Sequence, residues 1–475
     1  MEEKQKSEGK ILEERLFNSR KCGWEEVSDD KIKLIMKFSD EYMYFMNKSK
    51  TEREVSNFSK EVLEKNGFKN IDTLEKINEG DKVYFVNRAK SIYAAIIGKD
   101  ALENGLNIIG AHMDSPRLDL KPNPIYEESG FVYFNTQYYG GIKKYQWTTI
   151  PLSIHGVIVK ANGEKVTVTI GEEETEPIFT ITDLLPHLAN EQMKKNLSNG
   201  IEGEDLDLLI GSIPYNDKSV TEKVKLNILK ILNDKYGIIE RDFLSAELEL
   251  VPAFKARSLG FDNSMVAAYG QDDKVCCYTA LRAFVDMDII PERTSILILA
   301  DKEEIGSMGN TGMYSETFDN FIAELLTKSK INRPNLLNKV LCNSSMLSAD
   351  VSTVYDPLYA SVSDRRNVSY AGYGVSMNKY TGGRGKGGSS DASAEFVGKI
   401  RTLFETNNIL YQIDELGKVD AGGGGTIAYI LADKGVDVID CGVGVLSMHA
   451  PYEVTSKFDI YDAYEAYKVF FQKMR

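Results

Sequence analysis

The chain has 475 residues and a mass of 53.2 kDa, a length that accommodates roughly two to four domains. Apolar residues make up 42% and charged residues 27%, which is typical of a globular protein and excludes a disordered or fibrous chain. The formal charge of −14 argues against nucleic acid or an anionic membrane as the main partner.

The first hundred residues predict helices followed by short strands. Apolar residues recur at three- and four-residue steps over 32–45, as in an amphipathic helix. Thr51 and Glu54 form a capping-box pattern that begins a second helix, and Gly67 is a plausible end. Short apolar runs then predict strands of a buried sheet at 83–86, 94–97 and 106–111.

The pattern changes between residues 121 and 251, where aromatic and β-branched residues alternate with polar ones. Asn162-Gly163 separates two β-branched runs, which is a strong signal for a β-hairpin. A charged helix over 219–235 and a strand over 243–251 are expected to follow.

The α/β pattern resumes after Pro252. Buried strands are predicted over 294–300 and 436–445, and helices over 274–286, 318–326, 392–405 and 460–473. The chain is therefore expected to form one α/β domain of residues 1–121 and 254–475, interrupted by a mostly β domain of residues 122–253.

The cysteines and the N-terminus bear on the cellular compartment. Five cysteines form no CxxC pair, so neither a disulfide framework nor a cysteine-type zinc site is indicated. The first 20 residues lack the apolar core of a signal peptide, and no apolar run approaches the roughly 20 residues that span a bilayer. We therefore expect a cytoplasmic protein.

Chemically versatile side chains follow three of the predicted strands. His112 and Asp114 follow the first, Glu303 and Glu304 the second, and His449 the third. Ligands of open α/β sheets bind outside the carboxyl ends of the strands, so we expect these side chains to meet.

This set of side chains is typical of a site for two divalent metal ions. Imidazole and carboxylate ligands suit zinc, manganese or cobalt. Asp272 and Asp273, at the start of a predicted helix, offer a carboxylate that could bridge ions about 3.5–4 Å apart. Of Glu303 and Glu304, one can bind metal while the other takes a proton from the activated water.

Each feature also has an ordinary structural explanation when it is taken alone. A histidine at a strand end is more often structural, an aspartate pair often caps a helix, and two glutamates are often solvated. Local pattern alone makes His155 a structural residue of the inserted segment. HExxH and GxSxG motifs are absent, and the glycine-rich loop 382–389 does not fit the phosphate-binding pattern GxxxxGK[ST].

Six blocks together resemble the aspartyl aminopeptidase family of dinuclear zinc metallo-aminopeptidases. They occur in the family's order and span nearly the whole chain. The blocks are AHMDSPRLDLKP (111–122), GQDDK (270–274), DKEEIGS (301–307), SAD (348–350), NKYTGGRGKGGSSDASAEF (378–396) and SMHAPYE (447–453). The resemblance implies a three-layer, zinc-peptidase-like α/β catalytic domain with an inserted, mostly β dimerisation domain.

The resemblance also assigns roles to individual residues. Asp273, rather than Asp272, is implied to bridge the two ions, Glu303 to act as general base, and Asp114 to orient His112. The SAD block selects Asp350 where spacing alone also allows Asp356 or Asp364. The five implied metal ligands are His112, Asp273, Glu304, Asp350 and His449.

The implied reaction is removal of N-terminal residues from short peptides, with Asp or Glu as the residues that the family name suggests. Lys379 and Lys386, beside Arg384, are candidates for binding an acidic side chain, and a flexible surface loop is the alternative. The segment IPLSIH resembles one whose histidine enters the neighbouring subunit's site, so His155 is implied to stabilise the oxyanion there.

The family further implies a homo-oligomer, and by analogy with the family this would be a dodecamer built from dimers. Two other functions fit the same residues. One is a related dinuclear-metal deacylase of N-acyl amino acids, and the other is a scaffold that keeps the fold but has little turnover. Hydrolysis assays with aminoacyl-anilides and N-acetyl amino acids distinguish the three.

Overall fold

The computed structural model describes residues 6–331, 333 and 335–475. The helices are α1 (Glu8–Leu16), α2 (Gly23–Glu26), α3 (Asp29–Lys48), α4 (Glu52–Lys65), α5 (Lys223–Tyr236), α6 (Gln271–Val285), α7 (Thr317–Lys328), α8 (Leu336–Cys342), α9 (Ala394–Thr406), α10 (Ala428–Ala432) and α11 (Lys457–Lys473). The strands are β1 (Lys69–Asn70), β2 (Lys82–Asn87), β3 (Ser91–Ile96), β4 (Asn107–His112), β5 (Arg117–Glu128), β6 (Phe131–Tyr139), β7 (Leu152–Val159), β8 (Lys165–Ile170), β9 (Leu208–Gly211), β10 (Ala246–Pro252), β11 (Arg257–Leu259), β12 (Met265–Ala268), β13 (Ser295–Ala300), β14 (Ser345–Ser348), β15 (Ser352–Thr353), β16 (Val375–Asn378), β17 (Tyr411–Asp414), β18 (Asp437–Gly442), β19 (Gly444–Leu446) and β20 (Glu453–Ser456).

A nine-stranded sheet forms the centre of the molecule, in the order β1-β2-β3-β13-β4-β14-β18-β16-β17. Its four middle strands, β13, β4, β14 and β18, run parallel. Every residue of β4 and β13 is buried, as expected for parallel strands covered on both faces. Parallel strands bring their carboxyl ends to one edge, and that edge carries the site described below.

Helices cover both faces of this sheet. Ile109 and Leu297 point into a hydrophobic cluster that includes residues of α3, α4, α6, α9 and α11. Ile108 and Ile296, one residue earlier, point into a second cluster with residues of α7, α8 and α10. Alternation along the strands thus separates two cores, and the predicted three-layer α/β fold is confirmed.

Helices α3 and α4 follow the predicted pattern. The N–H of Glu54 donates to Thr51 Oγ1 at 3.4 Å, and the N–H of Thr51 donates to Glu54 Oε2 at 3.1 Å. This reciprocal pair is the predicted capping box, and it begins α4. No helix in the described ranges is long and apolar enough to cross a membrane.

A six-stranded antiparallel sheet contains the strands between residues 117 and 252, in the order β8-β7-β10-β5-β6-β9. The predicted hairpin at Asn162-Gly163 joins β7 to β8. Strand β5 begins at Arg117, five residues before the predicted boundary at 122, so this sheet starts close to His112. The predicted strand over 243–251 begins only at Ala246, because a turn capped by the Asp242 carboxylate precedes it.

A five-stranded sheet, in the order β11-β12-β20-β19-β15, is built from strands that follow the six-stranded sheet in the chain. The single strand predicted over 436–445 is divided into β18 and β19, which belong to different sheets. At Gly442, a Cβ atom would lie 1.8 Å from the carbonyl oxygen of Asp350. Only glycine permits this approach, which brings Asp350 beside the strand end.

Candidate metal centre

His112 lies at the carboxyl end of β4, and carboxylates surround its imidazole. Its Nε2 atom lies 3.3 Å from Asp272 Oδ1 and 3.9 Å from Asp350 Oδ1. The Glu303 Oε2 atom is also 3.9 Å away. The loops after β12, β13 and β14 therefore converge on the end of β4, as the strand-end argument predicts.

A second histidine approaches the same carboxylate from the other side. His449, between β19 and β20, places its Nε2 atom 3.2 Å from Asp272 Oδ2 and 3.6 Å from Glu304 Oε2. Asp272 thus offers one carboxylate oxygen to each imidazole. Two groups of three potential ligands share it, one with His112 and Asp350 and one with Glu304 and His449.

The donor atoms of these groups fit metal ions better than they fit one another. Within each group the donor atoms lie within 4.8 Å of one another, and Asp272 Oδ1 and Glu304 Oε1 are buried with no hydrogen-bond partner among the described residues. Burial raises the pKa of Glu304 and Asp350 well above the ordinary values, because a desolvated site disfavours the charged form of each acid. Imidazole and carboxylate donors in this arrangement suit zinc.

Asp273, the predicted bridging carboxylate, makes different contacts from those of its neighbour Asp272. Asp273 Oδ2 accepts the backbone N–H of His112 at 3.2 Å, and this side chain belongs to none of the potential metal-binding groups. The two aspartates are adjacent, yet only Asp272 reaches both imidazoles. The reason is local: neither has helical backbone angles, so their side chains leave the start of α6 in different directions.

Both histidines are oriented by hydrogen bonds on their Nδ1 atoms. His112 Nδ1 donates to the carbonyl oxygen of Asp114 at 3.0 Å, with Asp114 Oδ1 at 3.4 Å. His449 Nδ1 donates to the carbonyl oxygen of Gly141 at 2.8 Å. With Nδ1 held by a carbonyl oxygen, each ring turns its Nε2 atom toward the carboxylates, where a metal ion would bind.

Asp114 also holds the turn that carries the two glutamates. Its Oδ1 and Oδ2 atoms accept the backbone N–H groups of Glu303 and Glu304, each at 3.1 Å. Burial raises the pKa of Glu303 to about 7; the imidazole of His112 opposes this rise and the Asp114 carboxylate adds to it. A carboxylate with a pKa in this range is suited to general-base work.

Glu453 supports the centre, although no motif in the sequence assigns it a role. Its Oε2 accepts the N–H of Asp272 at 3.1 Å and its Oε1 accepts the N–H of His449 at 2.7 Å. One buried carboxylate therefore ties together the backbones of two potential ligands. The position of Glu453, four residues after His449, was the available sequence signal for its role. That spacing does not reveal the contact with Asp272, which is 181 residues away in the chain.

The cluster opens into a cleft of about 400 Å³. Asn378, Ser352 and Thr426 contribute to its wall beside the metal-binding side chains. Lys379 and Lys386 are not among the lining residues that the structure describes, because both extend to the Asp391 carboxylate, at 2.9 and 3.0 Å. The structure therefore does not bring the two lysines to the site.

His155 also lies away from the cluster within its own chain. It is buried in β7, where its Nδ1 atom is 2.7 Å from Glu54 Oε1 and its Nε2 atom 3.1 Å from Glu172 Oε1. Glu54 is also the capping residue of α4, so His155 joins the six-stranded sheet to that helix. A role in a neighbouring subunit's site stays a prediction.

The central sheet of this three-layer α/β fold carries two imidazoles and four carboxylates at one edge. This fold and site define a metal-dependent hydrolase. A family model described as aminopeptidase I zinc metalloprotease (M18) matches residues 45–471. A probable M18 family aminopeptidase 1 of Clostridium acetobutylicum is 50% identical over 96% of this chain and 98% of the relative. The chain belongs to the M18 family and is a metallo-aminopeptidase of that family.

Solved structures agree with this assignment. The crystal structure of the Thermotoga maritima M18 aminopeptidase matches with a TM-score of 0.93 and 44% identity, over 96% of this chain and 100% of that one. The S. cerevisiae mApe1 dodecamer shares the fold with a TM-score of 0.74 and 22% identity, over 91% of this chain and 96% of that one. The predicted family and fold are confirmed.

Proposed function

We propose that this aminopeptidase works with two zinc ions that share the Asp272 carboxylate. His112 and Asp350 would complete one site, and His449 and Glu304 the other. The observation that carries the proposal is the position of Asp272, with one oxygen 3.3 Å from the first imidazole and the other 3.2 Å from the second. Shared carboxylates of this kind hold paired ions in hydrolases.

Bound zinc would polarise the scissile carbonyl and lower the pKa of the attacking water. The residues of this chain supply the proton transfers. Glu303 takes a proton from the attacking water and delivers it to the departing amine. The Asp114 carboxylate keeps Glu303 in place by accepting the backbone N–H of Glu303. The cleft beside the cluster receives the N-terminal residue of a short peptide.

Removal and restoration of metal test this proposal. Exhaustive chelation is expected to abolish hydrolysis of aminoacyl-anilides, because the carboxylates then lack the ions that activate the water. Added zinc, manganese or cobalt is expected to restore turnover, and elemental analysis should give two ions per chain. Full activity in a preparation shown to be metal-free would contradict the proposal.

The N-terminal residue that the cleft prefers follows from the charges that line it. Carboxylates line the cleft, and no lysine or arginine is found among its described lining residues. We therefore propose that neutral N-terminal residues are preferred to Asp and Glu, in place of the acidic preference implied by the family name.

A residue scan tests this preference. Peptides that begin with leucine or alanine are expected to show a kcat/KM at least about tenfold higher than those beginning with aspartate, since an acidic side chain would lack a cation partner. The variants Lys379→Ala and Lys386→Ala are expected to leave this ratio unchanged. A preference for aspartate that disappears in either variant would contradict the proposal.

We also propose a homo-oligomer, for which the dodecameric yeast relative is the analogue. Five apolar side chains are exposed in the short stretch from 184 to 197, at Leu184, Leu185, Leu188, Met193 and Leu197. Such exposed apolar surface in one segment is typical of protein–protein contacts. Sedimentation velocity measures the number of subunits directly.

The paired glutamates around His155 make the stability of the fold depend on pH. Burial opposes protonation of His155, but Glu172 and Glu54 outweigh it and raise the pKa above the ordinary value of 6.5. The charged contacts therefore stabilise the fold fully below pH 6.5 and weaken as the pH rises through the raised pKa.

His155→Gln is expected to lower the free energy of unfolding by about 3 kcal/mol at pH 6 and by less at pH 9. Denaturant unfolding at the two pH values measures this difference, and His187→Gln, at an exposed position, serves as the control. Unchanged stability together with a lower kcat would contradict this structural role and favour a role in a neighbouring subunit's site.

A further inference from the structure

Tyr139 ends strand β6 of the six-stranded sheet and reaches the metal centre with its hydroxyl group. The hydroxyl donates a hydrogen bond to Asp114 Oδ2 at 2.8 Å. Asp114 is fully buried and also accepts the N–H groups of Glu303 and Glu304. The carboxylate that orients the catalytic turn is thus held in part by a side chain from another sheet.

The ring of Tyr139 is itself held in a fixed position. The guanidinium carbon of Arg117 lies 3.9 Å from the ring centroid. Arg117 is buried and pairs with Asp119 at 2.8 Å and with the buried Glu52 at 3.3 Å. Arg117 also lies 3.4 Å from Glu249, and a cation stacked on the ring and anchored by these three carboxyl groups restricts where the hydroxyl can point.

The two glycines after Tyr139 touch the other half of the centre. Gly141 accepts the Nδ1–H of His449 through its carbonyl oxygen, and a Cβ atom on Gly141 would lie 3.3 Å from that nitrogen. Gly140 has a φ of +72°, and a Cβ there would lie 3.3 Å from the Cβ of Glu304. Both positions therefore favour glycine.

We propose that residues 139–141 form a positioning segment through which the six-stranded sheet holds Asp114, Glu304 and His449 in the geometry needed for hydrolysis. The inference rests on the proposed function, because it assigns a role relative to the same ions and the same base. The six-stranded sheet is then part of the catalytic apparatus. Tyr139 is a positioning residue, since it acts through Asp114 and is not among the described residues that line the cleft.

Tyr139→Phe removes only the hydroxyl group and tests the inference. We expect kcat to fall about 10- to 100-fold while KM changes less than about twofold, because outer contacts of metal ligands have effects of this size. Release of zinc to a chromophoric chelator should become about tenfold faster. Tyr138→Phe changes the neighbouring, exposed tyrosine and should match the wild type in all three quantities.

Gly141→Ala provides a second variant that does not depend on the hydroxyl. Its methyl group would press on the His449 ring, so zinc release should again be faster, about tenfold. Gly398→Ala, in helix α9 with open space around it, is the matched control and should release zinc at the wild-type rate.

Wild-type kcat and wild-type zinc release in Tyr139→Phe and Gly141→Ala would overturn the inference. A raised KM with unchanged kcat would also overturn it, since it would place Tyr139 in substrate binding. The variant Glu303→Gln distinguishes a failure of this inference from a failure of the proposed function. If Glu303→Gln is inactive while both test variants are normal, only this inference fails; if Glu303→Gln is fully active, the proposed function fails.

Discussion

Replacing Glu303 with glutamine is expected to lower kcat on the order of 10²- to 10⁴-fold, the usual contribution of a general base. Glutamine has nearly the same shape but cannot accept the proton of the attacking water. The backbone N–H of residue 303 would still donate to Asp114, so the turn should keep its conformation. Steady-state kinetics and elemental analysis of the same preparation measure turnover and zinc content together.

Glu316→Gln makes the same change at an exposed position on the following loop and should leave kcat unchanged. Zinc content in Glu303→Gln should equal that of the wild type, because the proposal gives Glu303 no metal. Loss of both zinc and activity would instead make Glu303 a ligand. Wild-type activity would remove it from the mechanism.

Asp272→Asn is expected to have the second large effect, because it changes the carboxylate that both proposed sites share. Burial opposes ionisation of Asp272, but the imidazoles of His112 and His449 keep the pKa below its ordinary value, so the side chain is an anion. A neutral amide would bridge two cations poorly. We expect loss of at least one zinc ion per chain and a fall in kcat of about 10³-fold or more.

Asp273→Asn is the matched control for this change, at the adjacent position. Burial raises the pKa of the Asp273 carboxyl well above its ordinary value, and asparagine has nearly the same shape without the charge. The amide oxygen can still accept the N–H of His112. Zinc content should therefore stay near two ions per chain. A reversed outcome, with zinc lost from Asp273→Asn and kept in Asp272→Asn, would restore Asp273 as the bridge.

Much of the site could be predicted because parallel strands share one edge. His112, His449 and the Glu303-Glu304 pair follow apolar runs in the sequence, and the structure places them together at the carboxyl ends. The choice between Asp272 and Asp273 could not be made in this way. It depends on backbone angles after Gly270, where φ is +70°, and hydrophobic patterns do not encode those angles.

Contacts between distant segments account for the other differences. Lys379 and Lys386 were reasonable candidates by charge, but Asp391 in the same loop pairs with both. Glu453 and Tyr139 support the site through hydrogen bonds to residues more than 20 positions away in the chain. Such pairings depend on how the sheets pack against one another, which periodicity along a single segment cannot reveal.

Anomalous diffraction at the zinc edge tests most directly whether two ions share the Asp272 carboxylate. Crystals of the zinc-loaded enzyme should show two peaks about 3.5–4 Å apart. One peak should lie between His112 and Asp350, the other between His449 and Glu304, and each should contact a different oxygen of Asp272. A single peak, or a pair bridged by Asp273, would contradict the account.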